Sequence, residues 1–355
     1  MSRTAWVAMA AVLACSGMAA AEDRWDAVAS GTENTLRGVC VADKKHAWAV
    51  GDKGTILATA DGGKTWASQK SESDGTLRAV NFLNALEGWI VGDGDTDAPK
   101  VTSGHVMMGP GIRMTAGTCL STADGGKTWK RSWVQTNFEL RAVRMVSKEF
   151  GQICNHGGAA HPDGDRMLTK NGGKTWSQSR VFRGLNSAFW LDDKSAVAVG
   201  SPVCVGFTPP PGDPLYKSKN ARIVSTADGG ASWLPADIPD LAGGRTELRG
   251  VWFGDAKTGV AVGDKGMVVR TSDGGKTWSV VKDVTGKNLS GVVLVDAMRG
   301  WAVGQEGILF ETADGGKSWK DTATPAQKDL HAISAKGTVV VAVGAGGTIL
   351  IRDGK

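Results

Sequence analysis

Helical periodicity is missing from this sequence beyond its first 21 residues, so the chain is not expected to be helical. Runs of Lys or Arg are missing too, and the formal net charge is only +5, which argues against a nucleic-acid partner. The sequence has no Ser/His/Asp signature, no tightly spaced metal motif and no phosphate-binding loop; Gly92-Asp93-Gly94 precedes no helix. We therefore expect no enzyme, no cofactor and no metal.

Glycine is abundant, with 50 residues, and much of it belongs to one short turn phrase of the type Asp-Gly-Gly-Lys-Thr-Trp. The Asp or Asn can bond nearby backbone N–H groups, the glycines allow a tight turn, and the Trp carries apolar area into the core. Six copies spread along the chain cannot form one active site, so we assign them a structural role. The phrase begins and ends at Asp61 and Trp66, Asp124 and Trp129, Asn171 and Trp176, Asp228 and Trp233, Asp273 and Trp278, and Asp314 and Trp319, with a truncated copy at Asp353.

Each copy of the turn phrase belongs to a longer repeat unit of the sequence. A Leu-Arg-x-Val segment such as Leu36–Val39 opens the unit, a segment such as Ala47–Gly51 follows, and a third such as Gly54–Thr59 leads into the turn. Measured from the opening Leu, the units are 41, 63, 45, 63, 41 and 41 residues long, and a seventh starts at Leu330. Short β-branched runs between glycines are typical of strands. Seven units of four strands predict an all-β, seven-bladed β-propeller.

The last unit has only 25 residues after Leu330 and lacks its fourth strand. Trp25 precedes Leu36 by the same distance as Trp66 precedes Leu77, so we expect residues near Trp25–Ser30 to complete blade seven and close the ring. Closure matters because an open sheet edge invites unwanted pairing. Residues 22–355 are predicted to form a single domain.

Residues 1–21 resemble an export signal, with Arg3, an apolar run over Ala5–Leu13 and small residues up to Ala21. We expect an exported protein of the periplasm or thylakoid lumen. Val12–Cys15 also resembles a lipoprotein processing site, and we favour the soluble form over anchoring through Cys15. In an oxidising compartment a disulfide among Cys119, Cys154 and Cys204 is plausible, whereas Cys40 is expected to be buried.

Interruptions of a regular scaffold often carry function. Blades two, three and four carry additions between their second and third strands, all on the face where the opening strands begin. The Arg of Leu-Arg-x-Val falls near that face, and the sequence predicts a partial basic ring at the channel mouth. Its candidate partner-binding residues are Arg37, Arg78, Arg141, Arg249 and His331. The alternative is that each Arg pairs with an acidic neighbour on an adjacent blade.

The full four-part period, over roughly residues 25 to 355, resembles the photosystem II stability/assembly factor family of exported propellers with Asp-box (BNR) repeats. The resemblance implies a non-enzymatic, monomeric factor of photosynthesis that binds a membrane-complex subunit. In that family an arginine-rich patch is associated with binding, and Arg37, Arg78 and Arg141 are the matching positions here. The additions in blades two and four depart from the family pattern and leave the client unidentified.

A glycan-binding protein or glycoside hydrolase is the alternative function, because the turn phrase also occurs in sialidases. Sialidase chemistry uses a Tyr nucleophile. The one tyrosine here, Tyr216, falls in a Pro-rich loop of blade four. Sialidase propellers also have six blades, whereas this sequence has seven units.

Overall fold

The structure is a computed structural model. It describes residues 24–98, 116–134, 139–156, 166–179, 185–200, 222–236 and 246–353. The expected export signal, Cys15, Cys204, Tyr216 and most of the additions in blades two to four lie outside these residues. The described residues contain no helix long and apolar enough to cross a bilayer.

Seven four-stranded antiparallel sheets form the seven predicted blades. The chain enters through β1 (Asp26–Val28), which belongs to the last blade. Blade one consists of β2 (Leu36–Val41), β3 (Ala47–Gly51), β4 (Ile56–Thr59) and β5 (Ala67–Ser68). Blade two consists of β6 (Leu77–Phe82), β7 (Gly88–Gly92), β8 (Gly117–Thr122) and β9 (Lys130–Val134). Blade three consists of β10 (Glu139–Met145), β11 (Gly151–His156), β12 (Arg166–Thr169) and β13 (Ser177–Ser179).

The remaining blades repeat this order from the channel outward. Blade four consists of β14 (Leu185–Trp190), β15 (Ala196–Gly200), β16 (Arg222–Thr226) and β17 (Leu234–Pro235). Blade five consists of β18 (Leu248–Phe253), β19 (Gly259–Gly263), β20 (Val268–Thr271) and β21 (Ser279–Val281). Blade six consists of β22 (Leu289–Leu294), β23 (Gly300–Gly304), β24 (Leu309–Thr312) and β25 (Lys320–Asp321). Blade seven consists of β26 (Leu330–Lys336), β27 (Val339–Gly344), β28 (Ile349–Asp353) and β1.

The ring closes as predicted, because β1 pairs antiparallel with β28 and Ala27 lies opposite Leu350. Trp25, just before β1, is 2% exposed and packs edge-to-face on Trp301 of blade six at 6.4 Å between ring centroids. The N-terminal strand therefore ties the last blade to its neighbour as well as completing its sheet.

Apolar clusters fill the spaces between neighbouring blades. Between blades one and two, Trp48 stacks on Phe82 with ring centroids 3.5 Å apart, and Trp129 of the turn phrase meets Phe82 edge-on. The turn phrase itself closes through Asp61, which accepts hydrogen bonds from Thr65 N and Thr65 Oγ1, while Gly62 and Gly63 adopt φ of 80° and 93°. In this copy the Asp and the two glycines therefore form the turn itself.

Cys40 is buried and its Sγ accepts a hydrogen bond from the Phe82 backbone N–H. Cys119 is a buried free thiol in the cluster between blades two and three, whereas Cys154 packs between blades three and four. Because different clusters hold the two sulfur atoms, no disulfide joins Cys119 to Cys154. A pairing with Cys204 lies outside the described residues.

Candidate functional site at the channel mouth

All seven inner strands share one irregularity, a β-bulge after their first buried Leu. In β2 the register shifts between Leu36 and Gly38, and in β6 it shifts between Leu77 and Ala79. A bulge leaves one extra residue without a partner on the neighbouring strand and redirects its side chain. The seven bulged residues line one open cavity of about 210 Å³ at the mouth of the central channel. They are Arg37, Arg78, Arg141, Asn186, Arg249, Ser290 and His331.

The buried Leu before each bulge explains why the bulged residue lies at the rim in every blade. The opening residues Leu36 and Leu77 are fully buried, so the next side chain is held at the rim. In blades one and two the glycine that ends the second strand leaves room for this kink: a Cβ on Gly51 would collide with the carbonyl oxygen of Thr35, and one on Gly92 with that of Thr76. Local sequence therefore sets the position of the ring residues.

The arginines of blades one, two and five each pair with an Asp of their own blade. Arg37 Nε lies 2.5 Å from Asp52 Oδ1, and Arg249 Nε lies 2.7 Å from Asp264 Oδ1. In each blade this Asp directly follows the glycine of the second strand, fifteen residues after the Arg. The alternative placed the acidic partner of each Arg on an adjacent blade. Arg37 and Arg249 instead pair within their own blade, whereas Arg78 pairs both with Asp93 of its own blade and with Glu139 of blade three.

Blades two and three share one carboxylate. Glu139 lies 3.3 Å from Arg78 Nη2 and 2.9 Å from Arg141 Nη2, so it bridges the two arginines. Arg141 Nε is buried and donates to no described residue. On the other side of the ring, Asn186 donates to Glu247 Oε1 at 2.7 Å, and Glu247 lies 3.8 Å from Arg249.

The mouth is therefore a ring of alternating charges and not a purely basic one. Among the described residues its four arginines lie within ion-pair distance of five carboxylates, which offset the positive charge. The carboxylates are Asp52, Asp93, Glu139, Glu247 and Asp264. Arginine nevertheless supplies rigid, planar donors, because each guanidinium is held by its partners and its side chain is 21% to 36% exposed.

Contacts between neighbouring residues and burial shift the pKa values of several ionisable groups at the mouth. Burial alone would lower the pKa of Arg78, but the hydrogen bond to Asp93 and the charge of Glu139 raise it above its ordinary value. Burial raises the pKa of Asp52, but Arg37 outweighs this and holds it below the usual range. Burial and the neighbouring Arg37 lower the pKa of His331, although Asp329 and Asp52 oppose them. His331 is therefore held neutral at pH 7.

The structure brings the five predicted ring residues together at one mouth. Sequence reasoning missed Asn186 and Ser290, which complete the ring from blades four and six. It also missed Asp52, Asp93 and Asp264, although the recurrence of Asp after the second-strand glycine was a usable signal. The described residues hold no group of three or more His, Cys, Asp or Glu that could bind a metal ion.

The described start of the blade-two addition is tied to the body of that blade. Asp95 is 3% exposed, pairs with Arg131 Nη1 at 3.0 Å and accepts a hydrogen bond from the Gly75 backbone N–H. Asp97 pairs with Arg131 Nη2 at 2.7 Å. The first described residues of the addition are therefore held against blade two by ion pairs and a hydrogen bond.

Comparisons with known proteins agree with this architecture. Residues 18–96 match the family described as photosynthesis system II assembly factor YCF48. A curated relative, the photosystem II assembly lipoprotein Ycf48 of Picosynechococcus sp., is 35% identical over 72 residues, which are 19% of this chain and 21% of the relative. That match thus spans about a fifth of the relative's length.

Solved structures extend the likeness across the ring. YCF48 bound to a D1 peptide superposes with a TM-score of 0.68 at 17% identity, covering 95% of this chain and 97% of the other. YCF48 from Cyanidioschyzon merolae gives 0.65 at 19% identity, covering 93% and 98%. A xyloglucanase from Xanthomonas campestris gives 0.64 at 14% identity, covering 93% of this chain and 53% of that enzyme. Residues 18–96 are thus similar to the photosystem II assembly factor family, and the solved structures share the propeller fold of the chain.

Proposed function

We propose that this chain is an exported, non-enzymatic factor that docks a protein partner, a subunit of a membrane complex, at the channel mouth. The observation that carries the proposal is the convergence of Arg37, Arg78, Arg141 and Arg249 on one open rim. The planar guanidinium group of Arg is suited to a carboxylate of a partner because it can donate two parallel hydrogen bonds to it.

Arg141 is the strongest candidate for direct contact. Unlike Arg78, it pairs among the described residues with the shared carboxylate of Glu139 alone, and its Nε donates to none of them. A partner carboxylate at this point would gain a buried donor that is otherwise unsatisfied. Glu139 would then pair more fully with Arg78, so that no charge at the rim is left without a partner.

The likeness to a propeller described as bound to a D1 peptide supports a protein partner. That peptide belongs to the other protein, and at 17% identity the likeness concerns the fold. The client of this chain is therefore proposed only as a membrane-complex subunit with acidic side chains or a carboxylate terminus. We propose a monomer as the active form.

Glycan binding or glycoside hydrolysis is the second candidate, because a xyloglucanase shares the fold. A glycosidase needs one carboxylic acid that donates a proton and a second carboxylate. At this mouth the carboxylates are engaged by arginines, and the pKa of Asp52 is lowered by Arg37. Such a carboxylate stays ionised at neutral pH and is a poor proton donor, which favours docking over hydrolysis.

The test is crosslinking in the exported compartment of the native host, followed by mass spectrometry of captured proteins. The wild-type chain should enrich one membrane complex, and the Arg78→Ala/Arg141→Ala variant should lose it. Arg299→Ala is the matched control, because Arg299 pairs with Asp296 at the far end of blade six's inner strands. Capture of the same complex by a folded double variant, or of no protein at all, would refute the proposal; recovered glycans would favour the second candidate.

Export is tested separately by mass spectrometry of the mature N-terminus. We propose cleavage after Ala21 and a soluble protein. The Picosynechococcus relative is described as a lipoprotein. A diacylated Cys15 at the mature N-terminus would replace the soluble form with a membrane-anchored one.

A further inference from the structure

A second cavity of about 410 Å³ occupies the opposite end of the central channel. Its rim contains Ala42, Leu83, Val146 and Leu191, which directly follow inner strands, together with Lys336 at the end of β26. It therefore opens on the face of the turn phrases, away from the arginine mouth. Its walls include four valines of the Leu-Arg-x-Val segments, namely Val39, Val80, Val143 and Val251.

One layer of the channel wall is formed by the residue that follows this Val in each inner strand. Most members of the layer with a polar group use it to join their blade to the next one. Cys40 accepts from Phe82 N–H, Asn81 accepts from Met145 N–H, and Ser334 accepts from Val41 N–H. Trp252 donates its indole N–H to the carbonyl of Leu294 at 3.0 Å. Phe189 and Val293 are apolar.

Arg144, from blade three, is the exception in this layer. Its guanidinium lies 5.0 Å from the Phe189 ring centroid and 5.1 Å from that of Trp252. No carboxylate pairs with it and its side chain makes no hydrogen bond within the described part of the chain, in contrast to the arginines of the mouth. Burial lowers the pKa of Arg144 from its ordinary value, yet an arginine stays protonated. Its N–H donors are therefore available.

The charge around Arg144 is uncompensated. Among the described residues that line this cavity none is Asp or Glu, and two, Arg144 and Lys336, are cationic. Cys40 also lines the cavity, but burial raises the pKa of its thiol, so it remains neutral. Arg144 is only partly exposed, a cation without a paired carboxylate is costly in such a site, and a bound anion lowers that cost.

We propose that this cavity is a binding site for a carboxylate on an apolar body, with Arg144 holding the carboxylate and the valine walls and Trp252 holding the body. Both a free small acid and the C-terminus of a peptide have this chemistry. The cavity volume is within the range of small-ligand sites. Lys336 at the rim attracts the anion toward the channel. The site is separate from the proposed docking mouth.

Calorimetric titration of the purified chain tests the site with four probes. N-acetyl-leucine and N-acetyl-leucinamide represent a free acid and its neutral analogue. The peptides acetyl-Gly-Gly-Gly-Leu with a free or an amidated C-terminus represent a chain end. We expect at least one acid to bind at least about tenfold more tightly than its amide, since the amide lacks the charge that pairs with Arg144. Which acid binds better distinguishes the two sources.

Variants then assign the binding to Arg144. Arg144→Gln should weaken acid binding by about tenfold or more, and Arg144→Lys by less, because Lys keeps the charge without the fork. Arg299→Gln and Arg78→Ala/Arg141→Ala should bind like the wild type. If Arg144→Gln does not fold, Lys336→Gln and the acid-to-amide ratio of the wild type remain decisive. Equal binding of acids and amides, or no acid binding up to about 10 mM, overturns the proposal.

Discussion

Arg78 and Asp93 form a two-pronged ion pair, with Nε–Oδ1 at 2.7 Å and Nη2–Oδ2 at 2.8 Å. The Arg sits in the bulge of an inner strand and the Asp follows the glycine that ends the neighbouring strand. The same pairing recurs in blades one and five through Arg37 with Asp52 and Arg249 with Asp264. A short repeat thus encodes both the charge of the channel mouth and its neutralisation.

The Arg78–Asp93 pair is expected to contribute to stability as a unit. Each side chain is less than a third exposed, so removing one partner leaves the other poorly solvated. Arg78→Ala and Asp93→Ala should each lower the free energy of unfolding by about 1–3 kcal/mol, with a coupling of about 1–2 kcal/mol in the double variant. Urea unfolding measures all three variants. Strict additivity would show that the two side chains act independently.

We expect the protein to lose stability in acid because of the aspartates in its turn phrases. Hydrogen bonds from Thr65 are the main cause that lowers the pKa of Asp61 to about 2, and four other turn aspartates have the same pKa. An unfolded Asp titrates near about 3.9. The folded state therefore binds fewer protons between these values, and its stability should fall as the pH drops from about 4 to 2.

Blade three supplies the control for this prediction. Asn171 replaces the Asp and keeps both contacts, because its Oδ1 accepts from Thr175 N and its Nδ2 donates to Thr175 Oγ1. Asp61→Asn should therefore melt like the wild type at pH 7 and lose less stability below pH 4. Asn171→Asp should lose more. Identical acid profiles for the three proteins would refute the linkage between these carboxylates and stability.

The sequence predicted the repeat-encoded parts of the fold. Blade number, turn role and the closing strand follow from spacings such as that of Trp25 to Leu36, because every blade must place the same buried Leu and Trp. The bulge at Arg37 was not predictable, since an alternating pattern does not reveal an extra residue in the ladder. The role of Arg144 was not predictable because no motif marks it; the structure shows that it contacts the rings of Phe189 and Trp252 while no described carboxylate pairs with it.

Because the N-terminal strand closes the ring, we expect changes near the N-terminus to lower the stability of the protein strongly. Trp25 is 2% exposed and packs on Trp301, so Trp25→Ala should lower the free energy of unfolding by about 3–5 kcal/mol. Arg24→Ala is the control, since that side chain is 79% exposed and pairs with nearby Asp26. Deletion of residues 22–31 removes β1 as well and should destabilise the protein further. An unchanged melting temperature in the deletion variant would contradict closure by this strand.

We expect a separate effect of His331 on stability as the pH falls below about 6.5. Burial and Arg37 lower its pKa in the folded state, whereas an unfolded His titrates near about 6.5. The unfolded chain therefore takes up the proton first as the pH falls, and stability declines below about pH 6.5. His331→Gln should flatten this part of the profile, while His46→Gln, at a surface site beside Asp43, should leave the His331 contribution in place. Melting temperatures at half-unit pH steps measure the difference, and a His331→Gln profile as steep as that of the wild type would contradict a lowered pKa of His331 in the folded state.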